Sequence, residues 1–178
     1  MRRRSTPPRL APQHDMQKTL LAIYERMLER YGPQDWWPGE TRFEVMVGAI
    51  LTQAAAWSNV EKAIASLKHA NVLCPRGLRS IPHARLAALI YSSGYFNAKA
   101  RKIKAFVEHL GSYYSGDLGA MFRRETRELR RELLSLHGIG EETADSILLY
   151  AADRPVFVID AYTRRIVERL GLRPGGDS

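Results

Sequence analysis

The chain has 178 residues, 45% of them hydrophobic and 26% charged, with 27 Lys and Arg against 19 Asp and Glu for a formal net charge of +8. That is enough chain to bury one good-sized core or two small lobes, and no apolar run approaches the roughly 20 residues a bilayer span requires. A single cysteine, Cys74, excludes an internal disulfide framework and a four-cysteine iron–sulfur site in this sequence, while the positive balance favours polyanionic partners through counterion release.

Residues 1–14, MRRRSTPPRLAPQH, are basic and proline-rich and lack the apolar centre of a secretory signal; they read as a disordered tail on a cytoplasmic protein. Leu20, Leu21, Ile23, Tyr24, Met27 and Leu28 recur at helical spacing over 16–31, and Gly32-Pro33 stops that helix. A polar loop carrying Trp36-Trp37-Pro38 leads into FEVMVGAILTQAAAW, too long and alanine-rich for a strand and read as a buried helix. Ser58-Asn59 opens the next helix, with Val60, Ala63, Ile64 and Leu67 on one face. Residues 76–92 predict two short helical pieces around Pro82. The chain then turns at Gly94, and Asn97 is the expected cap of the helix that follows. Further helices are expected near 117–122 and 125–136. VFVID alone alternates like a strand, too briefly to build a sheet. The fold class is all-α.

The sharpest local pattern is LLSLHGIGEETADSILLYAA, residues 133–152. An apolar helix ends at Leu136, Gly138-Ile139-Gly140 makes a tight turn, and a second helix starts at once. The glycines allow positive φ and close approach of another backbone, and Ile139 between them must point inward. The free N–H groups and positive dipole end of the second helix then form an anion site suited to a DNA phosphate. A plain αα-hairpin, with glycines serving only the turn, is the competing reading. VFVID follows, ending in Asp160 before the basic helix AYTRRIVERLGL. Asp is a favoured N-cap; an ionised carboxylate there, beside a sugar, can also stabilise positive charge developing at C1′.

LHGIGEETADSILLYAADRPVFVIDAYTRRIVERLG resembles the helix-hairpin-helix/Gly-Pro-Asp signature of the endonuclease III-like DNA glycosylase superfamily, and FEVMVGAILTQ and SGYFNAKARKIKAF look like two earlier segments of it. The resemblance implies a six-helix barrel domain over 36–150 with the helix-hairpin-helix at 129–152. It also implies a second, incomplete helical lobe from 15–35 and 151–178. Double-stranded DNA carrying a damaged base would be bound by a monomer and the base flipped out. It further implies DNA contacts from Gln53, His137, Gly138, Ile139, Gly140, Thr143, Arg164, Arg165 and Lys99. An Na⁺ or K⁺ would sit on the main-chain carbonyls of Leu134, Leu136 and Ile139. No cofactor is required.

Bifunctional members carry a nucleophilic lysine two residues after the second hairpin glycine; this chain has Glu142 there, which cannot form a Schiff base, so Asp160 and Glu142 are the candidate catalytic positions without lyase activity. The Trp-Trp-Pro pair and a later aromatic resemble the 3-methyladenine DNA glycosylase III branch, which makes Trp36, Trp37 and Trp57 the expected base pocket. Tryptophans that merely cover the barrel mouth are the structural alternative. Gln53-Ala54-Ala55 departs from the branch, which tends to Gln-Asn-Thr, so Gln53 is either a gap-filling wedge or a solvated helix end. Lys99, Arg101, Lys102 and Lys104 read as a basic face, solvated or meeting DNA. Three functions follow: a monofunctional glycosylase for alkylated purines, an endonuclease III-type glycosylase for oxidised pyrimidines, or a noncatalytic DNA-binding remnant.

Overall fold

A computed structural model describes residues 13–34 and 36–172. The expected tail lies outside the described residues as far as residue 12, and the first helix, α1, begins at Gln13 and runs to Tyr31. It is followed by α2 (Arg42–Leu51), α3 (Trp57–His69), α4 (Pro75–Ser80), α5 (His83–Leu89) and α6 (Phe96–Tyr114). The chain continues through α7 (Leu118–Phe122), α8 (Thr126–Ser135), α9 (Glu141–Ser146) and α10 (Ala161–Arg169). The described residues contain no strand, so the all-α expectation holds. None of their helices is long and apolar enough to cross a membrane.

The chain divides into two compact units, one of them Trp37–Ile159 and the other made from the chain before residue 37 and from Asp160 onward. The core of the larger unit forms around α2, whose residues Phe43–Leu51 are all buried. Thr41 starts that helix, its hydroxyl accepting the Glu44 N–H at 3.1 Å. Helix α6 lays Ala100, Ile103, Phe106, Val107 and Leu110 against this core and packs on α4 and α5. The last five residues after α9, Ile147–Ala151, widen into a π-helical turn that packs against α2. In the smaller unit, α1 leaves Leu20, Leu21, Tyr24, Met27 and Leu28 exposed, and α10 has no buried residue.

The structure corrects the sequence reading in three places. Helix α2 stops at Leu51 instead of running on to Trp57, because Ala54 takes a left-handed conformation (φ 50) that no helix accommodates. Asn97 is not the cap of α6; left-handed Tyr95 (φ 44) precedes the helix, no side chain caps it, and Asn97 lies within its first turn. Lys99 belongs to no basic surface. It is 2% exposed, and its Nζ donates to the carbonyls of Leu51 at 2.8 Å and Ser93 at 2.6 Å.

Lys99 thus closes the C-terminal end of α2, where orphan carbonyls and the negative dipole end favour a donor. Burial lowers its pKa from 10.5 to about 8, assisted by the nearby Lys102 charge. Because the folded value lies below the unfolded one, the unfolded chain holds the extra proton between about pH 8 and 10.5. Stability therefore rises with pH across that window, and the charged form carries its cost below it. The neutral amine keeps two N–H donors for the two carbonyls. Measured against a Lys99→Met variant by denaturant unfolding, the wild type should gain up to about 1.4 kcal/mol per pH unit through that window. A constant difference between the two proteins would show that Lys99 does not titrate there.

Candidate nucleic-acid interface and aromatic cavity

Helix α8 presents Leu129 and Leu133 to the core, and the chain reverses just beyond Ser135. Ile139 N–H donates to Leu136 O at 3.1 Å, and the Ile139 side chain is 5% exposed, pinned inward as its place between two glycines predicts. The glycines differ. Gly138 has φ +79, and a Cβ on it would lie 2.4 Å from Lys102 Cγ. Gly140 is ordinary extended backbone (φ −94), and a Cβ there would meet nothing within 4 Å. No side chain caps α9 at Gly140, so first-turn N–H groups remain for an outside acceptor.

The hairpin is held from two sides. Arg130 on α8 grips the buried Asp145 carboxylate of α9 with Nε–Oδ1 at 2.7 Å and Nη2–Oδ2 at 3.0 Å, a two-pronged pair across the turn. Gln53 Nε2 donates to Gly138 O at 3.1 Å and to Thr143 Oγ1 at 2.9 Å, and Gln53 Oε1 accepts from Lys102 Nζ. Gln53 is therefore neither a solvated helix end nor a free wedge in this structure; it ties α2's exit and α6 to the turn. Thr143 is 6% exposed with its hydroxyl engaged inside the protein, so its side chain, like the ammonium of Lys99, is withdrawn from the surface role the sequence reading gave it. His137 and Glu142 are exposed.

Two of the three tryptophans meet. Trp37 and Trp57 lie edge to face, ring centroids 5.8 Å apart at 83°. Trp37 also packs on Tyr150 of the π turn at 5.3 Å. It fits over Gly48, where a Cβ would come within 3.3 Å of its ring. Trp37 and Trp57 wall a cavity of about 220 Å³ together with Pro38, Glu44, Glu61 and Lys68. Trp57 Nε1 donates to Glu61 Oε1 at 2.9 Å. Trp36 is 70% exposed and is not among these walls, so the expected three-tryptophan pocket consists here of a pair. Sequence reasoning missed Tyr150 and Glu61. Glu61 was within reach of it, lying one helical turn after Trp57.

In the smaller unit Asp160 is the N-cap of α10, its Oδ1 accepting the Thr163 N–H at 2.7 Å. Arg164 and Arg165 lie on the first turns of that helix and are exposed, Arg165 over the Tyr162 ring at 5.4 Å.

Comparison with known proteins adds four findings. A family model described as "HhH-GPD superfamily base excision DNA repair protein" matches residues 47–178. A protein of Methanocaldococcus jannaschii assigned as a DNA repair glycosylase is 47% identical over 152 residues, covering 84% of this chain and 69% of its own length. A chloroplastic endonuclease III homologue of Arabidopsis thaliana is 30% identical over 141 residues, and the chain spans 34% of it. Among solved structures, the H. pylori 3-methyladenine DNA glycosylase bound to 1,N6-ethenoadenine superposes with a TM-score of 0.77 at 28% identity, covering 90% of this chain and 76% of that one.

Proposed function

Because the chain belongs to the HhH-GPD superfamily of base excision DNA repair proteins, we infer that it is a monofunctional DNA glycosylase that hydrolyses the N-glycosidic bond of alkylated purines such as 3-methyladenine. The observation that carries the substrate class is the cavity walled by Trp37 and Trp57. N-alkylated purines are positively charged before they leave, so departure needs no acid; what selects them is an electron-rich aromatic wall. The hairpin supplies the grip: a phosphate approaches the N–H groups beyond Gly140, and the open space at that glycine admits it. Asp160, with Arg164 and Arg165 on the same helix, faces the deoxyribose and its phosphates in this reading, and its carboxylate stabilises positive charge at C1′.

The Leu134, Leu136 and Ile139 carbonyls are neutral hard oxygens at the turn, and Leu136 O uses only one of its two lone pairs on Ile139 N–H. They fit Na⁺ or K⁺, which would add positive charge beside the phosphate. Glu142 stands on the exposed first turn of α9 where a Schiff-base lysine would be needed, which supports hydrolysis without strand cleavage.

The experiment is direct. Incubation with methylated DNA should release free 3-methyladenine, and borohydride should trap no covalent protein–DNA adduct. The endonuclease III-named relative favours a second reading, removal of oxidised pyrimidines. A trapped adduct, with release of oxidised pyrimidines in place of methylated purines, would establish that one. Salt-sensitive DNA binding with no base release from any lesion would leave a noncatalytic module.

A further inference from the structure

The walls of the aromatic cavity carry charge as well as rings. Lys68 Nζ lies 2.8 Å from Glu40 Oε1 and 3.0 Å from Glu44 Oε1, so this ammonium at the wall is already matched by two carboxylates. Those neighbours raise its pKa, the hydrogen bonds to Glu40 and Glu44 being the main cause. Glu61 differs. Its carboxylate accepts the neutral indole N–H of Trp57, a partner that brings no opposing charge to the cavity wall beside two ring systems. On a chain of net charge +8, this cavity is locally negative: it repels phosphate and attracts a flat cation.

We propose that Glu61 is a specificity-determining residue that makes the Trp37–Trp57 cavity select cationic, N-alkylated purines over neutral lesions of similar shape. The inference rests on the glycosylase reading above for its substrate. The charge it recognises exists only before bond cleavage: when the C1′–N bond breaks, the base takes the electron pair and leaves neutral. Glu61 therefore strengthens binding of the intact nucleotide and lends nothing to the chemical step. Once the base is neutral the carboxylate holds it no longer, which favours release.

Glu61→Gln tests this, since the amide oxygen still accepts the Trp57 indole N–H while the charge is gone. For DNA containing 3-methyladenine the variant should raise KM about tenfold, the effect of one carboxylate at short range in a partly solvated site, with kcat not lowered. For DNA carrying the neutral lesion 1,N6-ethenoadenine the loss of binding should be much smaller, so that the variant's preference for the charged lesion shrinks. Equal effects on both lesions, or a fall in kcat at unchanged KM, would overturn the proposal. A second measurement needs no turnover. In mildly acidic buffer, 7-methylguanosine, a cation, should quench tryptophan fluorescence at about tenfold lower concentration than guanosine, and Glu61→Gln should erase that preference. No preference in the wild type, or a preference kept by the variant, overturns the role of Glu61. Charge-selective quenching without base release from methylated DNA would sink the glycosylase reading while upholding the cavity's selectivity.

Discussion

Replacing Asp160 by Asn is expected to lower base excision by about 10²- to 10³-fold, the usual effect of removing one electrostatic group aimed at developing charge, with stability and DNA affinity near wild type. The substitution separates the observed capping role of the carboxylate from the proposed catalytic one. Asp160 Oδ1 caps α10 through the Thr163 N–H at 2.7 Å, and asparagine caps a helix as well as aspartate does. The amide keeps that hydrogen bond and loses only the negative charge. Single-turnover release of 3-methyladenine, read beside a denaturation curve, isolates the charge. A variant that folds and retains the full rate would remove Asp160 from the chemistry.

The two hairpin glycines should respond to alanine in opposite ways. Gly138→Ala places a Cβ at φ +79 and 2.4 Å from the Lys102 side chain. That chain must then move away from Gln53, loosening the link that holds Gly138 O. We expect a loss of about 2–3 kcal/mol in unfolding free energy from left-handed strain and the displaced lysine together. Gly140→Ala adds a Cβ at an unstrained φ of −94 with nothing within 4 Å. Stability should change by no more than about 1 kcal/mol, the difference between glycine and alanine as caps, while DNA affinity falls at least tenfold because the new methyl occupies the space a phosphate needs. Full affinity in Gly140→Ala would mean that the strand is gripped elsewhere.

The hairpin was legible because its signal is local: an apolar helix, two glycines around one isoleucine, and a second apolar helix leave few other conformations. The same locality explains the errors. Charge alone groups Lys99 with Arg101, Lys102 and Lys104, yet it stands in register with Ile103, Phe106 and Leu110, the buried stripe of α6. Helical spacing marked it as inward-facing, and its charge concealed that. Asn97 is a good capping residue in isolation, but the Gly94-Tyr95 turn delivers the chain to α6 two residues earlier. The cavity was half visible. The sequence marks Trp37 and Trp57, while Tyr150 reaches Trp37 from the far end of the hairpin segment, a long-range contact that spacing cannot show. Gln53 reads as a polar residue near a helix end; its hairpin partners lie 85 and 90 residues away.

The widened coil at Ile147–Ala151 continues the hairpin's second helix into a residue that backs the aromatic wall. A π turn takes up one residue more than an α turn, so the side chains beyond it are rotated from where a regular helix would aim them. Tyr150, within that stretch, backs the indole of Trp37, while the rod's first turn presents the amides beyond Gly140. The amides beyond Gly140 and the ring that backs Trp37 thus stand on one continuous rod, and any slide or roll of that rod displaces both at once.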